Sequence, residues 1–264
     1  MPEGHTIHHI AAIHKQTLTN HRLRVTSPQG RFAKEAIILD NQHLLRVEAY
    51  GKNLFYHWEN GEIVHVHLGL AGRWSLHENP QPPPAPDSVE RLRLCSSEHT
   101  AILRGPMRCA QIDETDRQGT LARLGPDPIR DDADPELAWH RFHKTTRAVG
   151  AVIMDQSVFA GVGNIYRSEV LFIHGLHPTT PARLVSRATF EDIWASLKKL
   201  MRLAVADNRI VTVEAMERKR KRPMRRFYVY REESCMKCRG AVDAWRIGNR
   251  AVFACPVCQP LHET

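Results

Sequence analysis

Two groups of residues in this sequence have the type and spacing to do chemistry. The first is Met1-Pro2-Glu3 at the amino terminus. Pro2 is small, so Met1 is expected to be removed, which exposes a secondary amine. A free α-amino group titrates near ~8 and a lysine near ~10.4, a gap worth ~3 kcal/mol in favour of the unprotonated nucleophile. A helix beginning at Gly4 would lower the terminal amine further through its dipole. Such an amine attacks an aldehyde-level carbon to give an iminium, which acidifies the neighbouring position and permits elimination. Glu3 beside it has the chemistry of an acid or base. Taken alone, Pro-Glu reads more readily as a helix start.

The second group is Cys235-x2-Cys238 and Cys255-x2-Cys258, separated by sixteen residues. Two such knuckles supply four soft ligands to Zn²⁺, and four thiolates leave no open position for catalysis, so the metal's role is structural. Gly248-Asn249 suits the turn of a hairpin between the knuckles, with Arg250 at its tip. Arg250 reads either as a solvated turn residue or as a group for a phosphate or for insertion into a duplex. Upstream, Arg218–Arg226 carries seven basic residues in nine. It is either a solvated charge run or a phosphate-attracting segment whose affinity falls with salt. Gly161-Val162-Gly163-Asn164 joins two expected helices. No strand precedes it, so it is not a nucleotide fingerprint. Its glycines would let backbone N–H groups and the following helix start face a phosphate, with Asn164 as an extra donor.

These residues need elements to hold them. Ile7, Ile10, Ala11, Ile13 and Leu18 outline one face of a helix over Gly4–Leu18. From 22 to 110 the pattern becomes one of short strands at Leu44–Tyr50, Asn53–Trp58, Glu62–Leu68, Arg91–Cys95 and Thr100–Arg104. Asn60-Gly61 supplies a hairpin turn. The proline-rich stretch 79–87 reads as an exposed loop. Residues 1–115 therefore form an antiparallel β-sandwich with a flanking helix. Gly125–Pro128 and 131–135 mark a boundary, making 116–132 a linker. Helices are expected at Leu137–His143, Ala148–Gln156, Tyr166–His174 and Thr189–Asp207. They make 133–226 a helical unit and leave 227–264 as the four-cysteine zinc module. The fold class is α+β and multidomain.

The chain has 264 residues, 42% hydrophobic and 25% charged, with a formal charge of +8. It is large enough for two cores and basic enough for a polyanionic partner. No run of residues is long and apolar enough for a membrane span, and the first twenty residues lack the apolar region of a signal peptide. Cys95 and Cys109 are left over and read as buried thiols in a reducing compartment. The expected location is the cytoplasm.

Six motifs, in order, resemble the formamidopyrimidine-DNA glycosylase/endonuclease VIII family over essentially the whole chain. They are MPEGHT at the start, YGKNLFYHW (50–58), HLGLAGRW (67–74), LGPDP (124–128), DQSVFAGVGNIYRSEVLF (155–172) and the cysteine-rich tail (235–259). The resemblance implies a β-sandwich, a helix–two-turn–helix domain and a zinc-finger hairpin, with damaged double-stranded DNA held between them by a monomer. It implies a bifunctional glycosylase/AP lyase of base-excision repair. Pro2 would be the Schiff-base nucleophile, and Glu3 would protonate the sugar ring oxygen. Lys52, otherwise an ordinary surface lysine, would contact the phosphate beside the lesion and help catalysis. Gly163, Asn164 and Arg250 would grip the backbone. Leu70, otherwise a core leucine, would plug the gap left by the flipped base. Arg108 would lie in the stretch that wedges the opposite strand.

The chain departs from the family at Thr6, where Glu is frequent. It departs again at Met107-Arg108-Cys109, where oxidised-purine enzymes carry Arg-Phe, and in the short segment before the zinc module. With the PEG start, these departures favour the branch acting on oxidised pyrimidines. The alternatives are an oxidised-purine enzyme on the same scaffold and a damaged-DNA binder without catalysis. A zinc-ribbon regulator would leave the N-terminal half unexplained.

Overall fold

The computed structural model describes residues 2–79, 85–213 and 225–261. The chain forms two compact units, Met1–Arg123 and Leu124–Thr264. Most of the basic run at 218–226, all but Arg225 and Arg226, lies outside the described residues, as do Met1 and the prolines within 80–84.

The first unit begins with helix α1 (Gly4–Thr17), which buries Ile7, Ala11 and His14 on one face. Eight strands follow: β1 (Arg22–Thr26), β2 (Gln42–Tyr50), β3 (Asn53–Trp58), β4 (Ile63–His67), β5 (Arg73–Glu78), β6 (Glu90–Cys95), β7 (His99–Arg104) and β8 (Arg108–Ile112). Helix α2 (Ala33–Leu39) lies between β1 and β2, and helix α3 (Glu114–Ala122) follows β8. Their hydrogen-bonded order is β5-β7-β6-β1-β2-β3-β4-β8, with every neighbour antiparallel. The sandwich arises at β1. Its first residues, Arg22 and Leu23, pair with β2, whereas Arg24, Val25 and Thr26 pair with β6. The two halves close over one core, in which Leu54, Tyr56 and Val66 meet Leu92, Leu94 and Leu103. The expected sandwich is present.

Four elements of this unit have weak sequence signals: β1, α2, β5 and β8. Strand β8 reads RCAQI, without apolar alternation, and is fixed by its full register against β4. A fifth, α3, occupies part of the stretch read as a linker. It buries no residue. Asp113 caps it by accepting the Asp116 N–H, and Glu114 pairs with Arg117, so local hydrogen bonds and charge carry it.

The second unit contains α4 (Pro135–His143), α5 (Val149–Val152), α6 (Asn164–Ile173) and α7 (Arg187–Asp207). Asp134 and Ser186 cap α4 and α7. Helix α7 buries Phe190, Ile193, Trp194, Leu197 and Met201 at helical spacing against Phe142, Phe159 and Val170. The helix expected over Ala148–Gln156 stops at Val152. Asp155 accepts both the N–H and the hydroxyl of Ser157, a local alternative to helical bonding. The tail forms a hairpin of β9 (Asp243–Ile247) and β10 (Arg250–Ala254).

Candidate nucleic-acid interface and metal centre

In the first unit, Pro2 is half-buried and Glu3 fully buried (0% exposed) at the head of α1. Glu3 is the N-cap residue by backbone, its carbonyl accepting the Thr6 N–H at 3.0 Å. Its carboxylate does not cap the helix. The amino-terminal segment thus sits on the positive end of a 14-residue helix.

Lys52 lies in the two-residue turn between β2 and β3, where Tyr50 pairs with Asn53. Gly51 takes the positive φ of 58° that this turn requires at its first central position. Asn53 lies opposite His67, and His67 opposite Arg108, on adjacent strands. Three cationic or titratable side chains therefore share this end of the sheet. His67 was not singled out by the sequence. Its Nδ1 accepts the Gly69 N–H at 3.1 Å, which leaves the neutral ring with its proton on Nε2. Burial and the nearby Lys52 ammonium hold its pKa below the ordinary histidine value. The signal in the sequence was the period of two linking His65 and His67 on a strand whose next turn carries Leu70.

Leu70 is 64% exposed and so is not a core leucine. Its turn is tight: Gly72 donates to the Leu68 carbonyl, and a Cβ on Gly69 would stand 2.8 Å from the Met107 Cβ. Met107 is itself 70% exposed. Arg108 is exposed beside it, whereas Cys109 faces the core, where burial pushes its thiol up to about 12. The two loops thus approach each other at Gly69 and Met107, and each carries an exposed apolar side chain, Leu70 and Met107. Of the two spare cysteines, Cys109 is buried and Cys95 only half-buried.

In the second unit, the glycine turn is braced by Gln156, which accepts the Gly161 N–H and donates to the carbonyls of Met154 and Val162. Gly161 has φ 89°, and Gly163 is the N-cap of α6. Asn164, the first residue of α6, donates its amide to the Ala251 carbonyl at 3.1 Å. The buried Arg167 guanidinium donates to the Asn164 Oδ1 and to the same carbonyl. Helix α6 and strand β10 are therefore joined where Asn164 meets the residue after Arg250. The structure thus sets Asn164 against the neighbour of Arg250, which is itself exposed just past the Gly248-Asn249 turn. Trp245 of the same hairpin stacks on His177, with ring centroids 5.4 Å apart.

The Sγ atoms of Cys235, Cys238, Cys255 and Cys258 all lie within 4.8 Å of one another. Two of their separations are 3.4 and 3.9 Å. A tetrahedral thiolate centre with bonds of ~2.3 Å needs sulfur atoms ~3.8 Å apart, so the four residues fit a structural metal. The knuckles are anchored from outside: Gln259 accepts the Cys255 N–H and donates to the Leu176 carbonyl.

One further residue escaped the sequence reading. The Glu169 carboxylate, fully buried on α6, accepts the N–H groups of Tyr228, Val229 and Tyr230 at 2.7, 3.0 and 2.9 Å. The Thr212 hydroxyl donates to it as well. Burial raises its pKa, against the pull of these four donors. Glu169 ties the start of the cysteine module to the helix that carries Asn164.

The fold and this arrangement define a DNA-repair glycosylase/lyase scaffold, with an antiparallel sandwich, a helix–two-turn–helix unit and a four-cysteine hairpin. The chain belongs to the formamidopyrimidine-DNA glycosylase/endonuclease VIII family: the profile of the formamidopyrimidine-DNA glycosylase N-terminal domain matches residues 1–112, and that of its H2TH domain residues 124–215. Endonuclease 8 1 of Mycobacterium tuberculosis is 41% identical over 98% of this chain and 100% of its own. The formamidopyrimidine-DNA glycosylase of Thermomicrobium roseum is 28% identical over 83% of this chain and 82% of its own. Among solved structures, Lactococcus lactis Fpg in complex with abasic-site DNA superposes with a TM-score of 0.79 at 18% identity, covering 98% of this chain and 100% of that one. Among the described residues, no helix is long and apolar enough to cross a membrane.

Proposed function

We propose that the protein removes oxidised pyrimidines from double-stranded DNA and then nicks the strand, acting as a monomer in the bacterial cytoplasm with Pro2 as its nucleophile. The observation that carries this reading is the head of α1. Pro2 is accessible there, and the Glu3 carboxylate beside it is buried without capping the helix. Once Met1 is removed, the Pro2 nitrogen attacks C1′ of the deoxyribose, and the base departs with the bonding pair and a proton. Glu3 delivers a proton to the ring oxygen as the sugar opens. The resulting iminium acidifies C2′; loss of that proton expels the 3′ phosphate, and a second elimination releases the 5′ side.

Each unit offers its own groups to the DNA. In the first, Lys52 and Arg108 supply charge to phosphates, His67 an Nε2–H donor, and Leu70 an apolar plug for the space of the flipped base. In the second, Gly163 and the start of α6 offer N–H groups, with Asn164 and Arg250 beside them. Zn²⁺ bound by the four cysteines would hold the hairpin that carries Arg250 and add no chemistry of its own.

The 41% identity to a protein named Endonuclease 8 1, and a Met107-Arg108-Cys109 stretch that lacks the phenylalanine of the purine enzymes' Arg-Phe pair, support the pyrimidine branch. The named formamidopyrimidine-DNA glycosylases among the relatives support the purine alternative. Cleavage of duplexes holding thymine glycol or 8-oxoguanine separates the two. Faster cleavage of thymine glycol is expected, and a strong preference for 8-oxoguanine overturns the branch assignment.

A further inference from the structure

The turn that presents Lys52 is held from inside the sheet by two buried polar side chains. Asn53, the residue after Lys52, is 8% exposed, and His65 on β4 is 4% exposed. The Asn53 Nδ2 donates to the Tyr50 carbonyl at 3.2 Å, closing the turn across Gly51 and Lys52. Its Oδ1 is then the acceptor toward the His65 Nε2, 2.9 Å away. His65 must therefore carry its proton on Nε2. The imidazole is itself fixed by stacking on Phe55, with ring centroids 4.8 Å apart and planes 24° from parallel.

We propose that His65 and Asn53 act as a positioning relay for Lys52. The His65 N–H orients the Asn53 amide, the amide clamps the Tyr50 carbonyl, and the clamped turn sets where the lysine stands. The inference rests on the assignment of Lys52 to a DNA phosphate. A hydrophobic pair would fill the same space more simply. Burying two polar groups costs free energy unless each is satisfied. Here the Asn53 amide uses both its atoms and His65 its Nε2–H in a chain that ends on the backbone of the lysine's own turn, while the His65 Nδ1 has no hydrogen-bond partner.

Affinity for a duplex holding a tetrahydrofuran abasic analogue, measured by fluorescence anisotropy, tests the relay without requiring catalysis. His65→Phe keeps the ring and the stacking on Phe55 but removes the donor. It is expected to weaken binding about three- to tenfold, the range for one neutral hydrogen bond. In a Lys52→Ala background the same change should alter affinity less than about twofold, because there is no ammonium left to position. His65→Gln, which restores an N–H donor, should recover most of the loss. If His65→Phe folds poorly, Asn53→Asp serves in its place, since its carboxylate cannot donate to the Tyr50 carbonyl. An equal loss in both backgrounds, or no loss in either, overturns the relay. Borohydride trapping of the unaltered protein on an abasic duplex reports separately on Pro2. Coupling without trapping keeps the relay and sinks the Schiff-base reading, and trapping without coupling does the reverse.

Discussion

Replacing Glu169 is the perturbation whose cost follows most directly from the structure. Its carboxylate satisfies three backbone N–H groups and one hydroxyl in a site closed to water. In Glu169→Ala the Thr212 hydroxyl keeps a second acceptor, the Arg226 carbonyl at 3.1 Å. The three N–H groups of Tyr228, Val229 and Tyr230 lose theirs. A buried donor left unmade costs about 1–3 kcal/mol, so the change should cost about 3–6 kcal/mol once partial relaxation is allowed. That is a large share of a typical 5–15 kcal/mol of stability. Glu169→Gln should cost less. Its remaining oxygen can still accept from Val229 and Tyr230, leaving the Tyr228 N–H opposed to an amide donor, for a loss of about 1–3 kcal/mol. Urea unfolding of the metal-loaded protein, followed by circular dichroism, gives the ranking. Release of metal to a colorimetric chelator should occur at lower urea in both variants, because residues 228–230 lead into Cys235. An alanine variant within about 1 kcal/mol of the parent, or one less damaging than glutamine, refutes the reasoning.

Other outcomes follow from the same geometry. Removing metal with a strong chelator should unfold the β9–β10 hairpin, seen as loss of the near-UV signal of Trp245, and abolish duplex binding; an unchanged signal contradicts the metal's structural role. Leu70→Ser should leave stability within about 0.5 kcal/mol, as for an exposed site, yet slow cleavage of a damaged duplex, and equal rates would remove Leu70 from the interface. Duplex affinity should fall steeply with salt, and Arg250→Ala should lower the slope of log K against log salt by about one unit; an unchanged slope means that Arg250 contacts no phosphate. Burial holds His14 at about 3, and His5 and His65 at about 4, against 6.5 for an ordinary histidine. Their neutral forms therefore stabilise the fold fully above pH 6.5, and this contribution is lost as pH falls toward 4. Each costs about 1.4 kcal/mol per pH unit in that window, and urea midpoints that stay flat between pH 6.5 and 5 contradict it.

What the sequence made legible was local. Helix α1, the Asn60-Gly61 hairpin and the paired Cys-x2-Cys knuckles each announce themselves through period, turn residues or ligand spacing. The sandwich itself depends on β1 changing partners midway, from β2 to β6. No pattern within RLRVT encodes that exchange, because pairing is a property of two strands. The same limit governs the site. Pro2, Lys52 and the cysteines stand out by type and position. His67, Asn53 and Glu169 acquire meaning only when the fold supplies their partners: a neighbouring strand, the adjoining turn, and the backbone of residues 228–230. Asp155, read as part of a helix, ends it instead through its bonds to Ser157.

The central claim is that the amine of Pro2 attacks the sugar. Borohydride trapping on an abasic-site duplex, with intact mass spectrometry of the same sample to establish loss of Met1, tests it most directly. A covalent adduct of protein and DNA is expected at Pro2, weakened in Pro2→Gly and absent when a tag is left ahead of Pro2. A protein beginning at Pro2 that forms no adduct, or an adduct that persists behind the tag, contradicts it.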